Sequence, residues 1–173
     1  LETFHIYGQA SSASSENARI LVRFPLDTVA TDRTAGTIPA SGSVSFYLRM
    51  FNAEHSQPTP ANFTLTASAI LRDWQEGVGL DMENYSNIDA SNWITASDGP
   101  IVKWSTEGGD YDYTPSSSFQ QTFTTGFENM EIDVSPLVEQ WISSSDNLPT
   151  DTDMGSKSNY GFGVFLTASQ EDA

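Results

Sequence analysis

The sequence has no cysteine and few basic residues, and these two shortages exclude several classes of protein. A chain of 173 residues without cysteine forms no disulfides and builds no zinc or iron–sulfur site from thiolate ligands. Seven Lys and Arg against 23 Asp and Glu give a net charge of −16, which repels the phosphate backbone of nucleic acids. We therefore expect no nucleic-acid partner.

Long hydrophobic runs are also missing. No apolar stretch approaches the roughly 18 residues that identify a membrane-spanning helix, so we expect no membrane insertion. Hydrophobic residues still make up 38% of the chain and aromatic residues 12%, which is enough to form a core. The length suits one domain, and we predict a single domain over residues 1–173. Because Leu1 is not an initiator Met, this domain can be a fragment of a longer chain.

Alternation of apolar and polar residues predicts the strands. Ile20, Val22 and Phe24 share one face of the first clear segment, and Arg19 and Arg23 share the other, as in a half-buried strand. The same alternation recurs at Val44, Phe46, Leu48 and Met50, and at Phe63, Leu65, Ala67, Ala69 and Leu71. Weaker alternation predicts further strands around residues 4–6, 119–127, 130–134 and 162–166.

The opposite faces of these strands are predicted to point outward. In the strand that begins near Phe63, these positions are Thr64, Thr66, Ser68 and Arg72. Elsewhere, Tyr47, Phe51 and Phe165 are predicted outward, where their aromatic surface would serve assembly with other proteins.

One short helix is predicted near residue 135. Ser135 can cap it, and Pro136 suits the first helical position, where a missing N–H costs nothing. The apolar residues that follow at helical spacing are Leu137, Val138, Trp141 and Ile142. Many strands with a single helix exclude a βαβ fold. We predict an all-β fold, an antiparallel β-sandwich of jelly-roll type with long loops and one short helix.

Two long loops, 25–42 and 75–118, hold candidate binding residues, since loops of that length tend to be functional, bound to a partner or locally structured. Aromatic faces in such loops can stack on sugar rings. The candidate carbohydrate-binding residues are Tyr85, Trp93, Tyr111 and Tyr113. Trp74 and Trp141 have apolar neighbours and are predicted to lie in the core.

Catalytic motifs are not found. His5 and His55 are the only histidines, and neither lies in a metalloprotease or nucleophile motif. A glycosidase needs two carboxylates across a sugar bond, and nothing in the sequence marks such a pair among the acidic clusters. We expect no enzymatic activity and name no catalytic residue, although cleavage of a polysaccharide by loop carboxylates stays an alternative.

Acidic loops offer oxygen ligands of the kind that calcium prefers. The metal candidates are Asp146, Asp151 and Asp153, and the segment 107–110 has a similar composition. Neither segment matches the twelve-residue EF-hand pattern, and solvated acidic loops are the alternative. We expect no cofactor other than a structural Ca²⁺ ion.

Several short motifs occur in a characteristic order: Ala18–Phe24, then Leu71–Gly77 with its W-x-E-G turn, then Ile132–Trp141, then Asn159–Val164 with Asn-Tyr-Gly-Phe. Together, over about 150 residues, they resemble the DNRLRE-type domain, which is also classed as a carbohydrate-binding module. The resemblance implies a jelly-roll β-sandwich. The chain departs from that family in the insertion from Gly79 to Ile94, which resembles structural proteins of marine tailed phages.

The resemblance implies two functions. The first is a non-enzymatic virion structural or decoration protein that assembles with copies of itself or with other virion proteins. The second is a carbohydrate-binding module that attaches a larger protein to glycans. The expected localisation is accordingly the virion or the extracellular space.

Overall fold

A computed structural model describes residues 3–9, 16–53, 60–77, 90–143 and 158–171, with side chains described from residue 17 onward. Ten strands and three helices lie in these residues. The strands are β1 Thr3–Gln9, β2 Glu16–Val22, β3 Tyr47–Met50, β4 Phe63–Ile70, β5 Thr95–Asp98, β6 Ile101–Lys103, β7 Tyr111–Asp112, β8 Ser118–Phe123, β9 Met130–Asp133 and β10 Phe162–Leu166. The helices are α1 Asp27–Thr34, α2 Ser135–Ser143 and α3 Ala168–Glu171.

A six-stranded antiparallel sheet forms the centre of the fold. Its order is β1–β2–β10–β4, and both β7 and β8 pair with the far edge of β4. The last strand of the described residues, β10, therefore lies between two early strands, β2 and β4. The predicted fold class, an all-β antiparallel sandwich, is confirmed.

A two-stranded sheet, formed by β3 and β9, covers one face of the central sheet. The two strands are antiparallel, with Leu48 opposite Ile132, and both side chains are buried against Val22 and Val164 from the central sheet. This confirms the inward direction predicted for Leu48. The inward prediction for Leu71 is wrong, because β4 ends at Ile70 and the Leu71 side chain is 56% exposed. The Gln121 side chain joins the two sheets, because its amide donates to the Asn129 carbonyl and accepts the Glu131 N–H.

Helix α2 closes one end of the sandwich. Its buried residues are Leu137, Val138, Trp141 and Ile142, as predicted. The Trp141 ring packs edge-on against Phe162 with ring centroids 4.9 Å apart. The predicted cap is wrong in detail, because the Asp133 carboxylate accepts the Ser135 N–H at 2.9 Å, and Ser135 is already the first helical residue.

A third layer covers the opposite face of the central sheet. Strands β5 and β6 pair with each other, and Ala96 and Trp104 from this region pack on Leu21 and Ile70. Trp74 belongs to the same cluster, which confirms its predicted burial.

This third layer makes some predicted outward faces wrong. Thr66 and Ser68 are buried, and the Arg19 side chain is only 12% exposed. The polar groups are satisfied inside the protein, since Ser68 and Ser118 hydroxyls lie 2.7 Å apart and Gln120 donates to Thr66. Both faces of the central sheet are thus covered. The alternation of apolar and polar residues along its strands indicates only which face is more apolar, and does not show whether the other face is exposed.

The prediction of one helix is also wrong. Helix α1 lies inside the loop predicted over 25–42, and α3 follows the last strand. Helix α1 buries no residue completely, but Val29 and Ala30 pack on the main core. Arg33 of α1 binds Glu139 of α2 through two hydrogen bonds. Among the described helices, none has the length and apolar character that crossing a membrane requires.

Candidate functional site

Four predicted binding residues meet around one buried cation, Arg19. The Arg19 guanidinium carbon lies 4.9 Å from the Trp93 ring centroid, 5.5 Å from that of Tyr111 and 4.9 Å from that of Phe165. Tyr113 completes the group, with its ring 6.3 Å from that of Phe165. Such distances are within the range of cation–π attraction. We call this group, with Glu171, the Arg19 cluster.

Hydrogen bonds fix the guanidinium inside this cluster. Arg19 Nε donates to Glu171 Oε1 at 2.9 Å, its Nη2 donates to Glu171 Oε2, and its Nη1 donates to the Gly108 carbonyl at 3.0 Å. Burial opposes the charge of Arg19, but the hydrogen bonds and charge of Glu171 outweigh it and raise the Arg19 pKa. The chain's own cation therefore already lies over the rings of Trp93, Tyr111 and Phe165.

Glycines allow the rings to approach the backbone this closely. A Cβ at Gly163 would lie 2.1 Å from Tyr111 Cε1, and a Cβ at Gly108 would lie 2.8 Å from Arg19 Nη1. The Tyr111 hydroxyl donates to the Gly108 carbonyl at 2.8 Å, and burial raises the pKa of this phenol. The glycine of the Asn-Tyr-Gly-Phe motif, Gly161, instead meets the Val22 carbonyl.

The predicted carbohydrate-binding residues differ in exposure. Tyr111 is 6% exposed and presents no free face, whereas Tyr113 is 65% exposed and Trp93 is half-buried. Tyr85 lies outside the described residues. The prediction that Phe165 points outward is wrong, because its ring is buried between Arg19 and Tyr111.

An apolar groove of about 390 Å³ opens at the end of the sandwich opposite α2. Its walls come from both sheets. Phe63 and Phe123 stack there with ring centroids 4.8 Å apart, and Met50 and Met130 face them from the second layer. We call this cavity the groove. Alternation in the sequence predicts that these four residues lie in strands. It does not predict that a cavity remains between them.

Glu128 is the one charged residue among those that line the groove in the described part of the chain. Its Oε1 accepts hydrogen bonds from the Thr124 and Thr125 backbone N–H groups, at 3.0 and 2.9 Å, and from the Thr124 hydroxyl. The Thr125 N–H in particular holds the pKa of this carboxyl far below its usual range. The carboxylate therefore keeps its charge at any physiological pH.

The two other predicted assembly residues are exposed next to the groove. Tyr47 is 48% exposed on the outer face of β3, and Phe51, which lines the groove, is 78% exposed. Arg49 lies between them, paired with Glu131 at 2.8 Å and 5.7 Å from the Tyr47 ring centroid. Phe127, between two groove residues, is 73% exposed. These positions confirm the predicted outward direction of Tyr47 and Phe51.

The predicted metal ligands Asp146, Asp151 and Asp153 lie outside the described residues, as does His55. In segment 107–110, the Asp110 carboxylate accepts the Ser105 and Thr106 N–H groups and binds Arg72 at 2.9 Å. The Asp110 carboxylate is therefore already engaged by its own turn and by Arg72. The described residues hold no group of three or more acidic or histidine side chains that could bind a metal ion.

The chain matches no protein-family model, no curated protein and no solved structure. The Arg19 cluster, the groove and the outer face of β3 are the features of the described residues that bear on function.

Proposed function

We propose that this chain is a non-enzymatic structural or decoration protein of a tailed-phage particle, which acts through protein–protein assembly contacts. The observation that carries the proposal is the exposed aromatic surface of β3 beside the apolar groove. Large apolar side chains cost free energy when they face water, and patches of this kind mark interaction sites. The phage context rests on the resemblance of the insertion over 79–94.

The composition of this surface supports an assembly role. Tyr47 and Arg49 lie on the exposed face of β3, and the exposed Phe51 follows the strand directly. Tyrosine, phenylalanine and arginine are enriched at protein interfaces. Buried aromatic anchors carry most of the binding energy in such contacts. A partner that covers Phe51 would remove one of the most exposed aromatic rings of the described chain from water.

Purified particles test this function directly. Mass spectrometry of virions is expected to detect the chain at high copy number, and its absence from intact particles would contradict the proposal. A double variant, Tyr47→Ser with Phe51→Ser, is expected to fold but to be depleted from particles. Ile101→Ser is the matched control, because Ile101 is 67% exposed on β6 in the third layer.

The second candidate function is carbohydrate binding. It is favoured by the exposure of Tyr113 in the same cluster that holds the half-buried Trp93. Stacking on a sugar needs a free aromatic face, which Tyr113 offers and Tyr111 does not. A glycan array separates the two functions. Binding that is lost in both Tyr113→Ala and Trp93→Ala would support the module, and an array without signal would reject it.

A further inference from the structure

The groove is a candidate site for a segment that carries apolar side chains. Its volume of about 390 Å³ falls within the usual range of ligand sites, and its walls are mostly aromatic, aliphatic and methionine side chains. Methionine is adaptable in shape, and Met50 and Met130 contribute to opposite strands of one wall. An occupant must therefore supply large apolar side chains.

Two stretches that are close in sequence to groove residues contain mainly small or polar side chains. Segment 10–15 reads Ala-Ser-Ser-Ala-Ser-Ser and precedes β2 in the sequence, and Ala18 of β2 lines the groove. Segment 54–59 reads Glu-His-Ser-Gln-Pro-Thr and lies in the sequence between Asn52 and Phe63. Neither stretch contains the large apolar side chains that suit an apolar cavity.

Charge identifies the partner further. Each of the five arginines pairs with an acid of this same chain, in a distant segment or on a neighbouring strand. The net charge of −16 leaves an excess of acidic groups, which favours a cationic occupant of the groove over an anionic amphiphile or a segment of a second, equally acidic copy. Glu128 adds a fixed negative charge in the groove wall itself.

We infer that the groove binds a basic amphipathic segment of another polypeptide, whose apolar side chains enter between Phe63, Phe123 and Phe51 while its Lys or Arg residues approach Glu128. This inference rests on the proposed assembly function and names the class of partner. It goes beyond that function because it assigns the groove as the binding site, a positive charge to the partner and Phe51 as the residue that anchors it.

Methionine methyl NMR on the full 173-residue chain tests the inference, because two of the four methionines line the groove. The probe is a twelve-residue peptide that alternates Leu and Lys. Saturable shifts of the Met50 and Met130 methyl signals are expected. The control peptides alternate Leu with Glu, and Ser with Lys; each is expected to bind at least about tenfold more weakly, because one lacks charge complementarity and the other lacks apolar side chains.

Two variants locate the binding. Phe51→Ser removes an exposed wall residue and is expected to weaken the Leu-Lys peptide about tenfold, a change typical of an interface anchor. Glu128→Gln keeps an acceptor for the Thr124 and Thr125 N–H groups but removes the charge, so it is expected to reduce the preference for Leu-Lys over Leu-Glu several-fold.

Several results would overturn the inference: unshifted Met50 and Met130 signals at millimolar peptide, equal binding of the Ser-Lys peptide, or an unchanged charge preference in Glu128→Gln. Failure here is distinguishable from failure of the assembly function. A chain found in particles whose groove binds no basic peptide keeps its structural role and loses this site. A chain that binds the peptide but is missing from particles loses the virion role.

Discussion

Arg19 shows how one buried side chain can hold a layer of the protein together. Its guanidinium contacts rings from the third layer and from β10, and it binds Glu171 of α3, 152 positions away in the chain. The periodicity of β2 correctly placed Arg19 on the face opposite Ile20. It could not reveal that this face is covered, because the covering residues come from a loop some 75 positions later.

Removing one partner of this ion pair should be costly. Glu171→Gln or Arg19→Met alone is expected to lower the free energy of unfolding by about 3 kcal/mol, because a buried charge is left without its partner. The double variant should lose much less than the sum of the two single variants. Urea denaturation of all four proteins measures the coupling, and additive losses would show that the pair is not linked.

Gly163 provides a second test at the residue scale. Gly163→Ala places a methyl group against the Tyr111 ring, so we expect a loss of about 1–3 kcal/mol from overpacking. Gly42→Ala is the control, because a Cβ there meets nothing within 4 Å and only its φ of +82° is unfavourable, at about 1 kcal/mol. Equal thermal shifts in the two variants would contradict the packing argument.

At the scale of elements, strands and helix α2 were predictable because their apolar residues repeat with a clear period. Helix α1 was not, because its sequence Asp-Thr-Val-Ala-Thr-Asp-Arg-Thr has no apolar stripe and is rich in threonine, which favours strands and caps. It is held largely by tertiary contacts, above all by Arg33 and Glu139. The extra strands β5 to β7 are too short to show a period.

The docking of α1 should depend on pH. Burial opposes the charge of Glu139, but its hydrogen bonds and its proximity to Arg33 lower its pKa below the ordinary value of about 4.3. The unfolded chain then binds the proton more tightly, so this contribution to stability is present above about pH 4.3 and is lost as the pH falls through the folded pKa.

Hydrogen exchange of the α1 amides measures this effect. Protection in the wild type is expected to decrease between about pH 5 and pH 3, whereas Glu139→Gln should show weaker protection at pH 6 and little further change. The same acid dependence in both proteins would assign the effect to other carboxylates.

At the scale of the whole molecule, charge is the dominant feature. Self-repulsion among the acidic groups destabilises the compact state, and salt screens it. We expect the thermal midpoint to rise by a few degrees between about 10 mM and 0.3 M NaCl. A midpoint that falls would mean that the five arginine pairs, which salt weakens, outweigh the repulsion.

The site was less predictable than the fold. Tyr47 and Phe51 followed from alternation on a single strand. Phe165 and Tyr111 did not, because their burial depends on Arg19 and on the glycines around them. The groove arises where the ends of several strands separate, and Glu128 reaches it from a turn. No local pattern encodes such a long-range arrangement.

The position of β10 between β2 and β4 has a consequence for biosynthesis. Until residues 162–166 leave the ribosome, the facing edges of β2 and β4 have no strand between them, although the nine strands β1 to β9 all precede β10 in the chain. Open edges of this kind can recruit foreign strands. We expect translation products that stop before Phe162 to require chaperones, and chains that include β10 to be released from them once this strand is inserted.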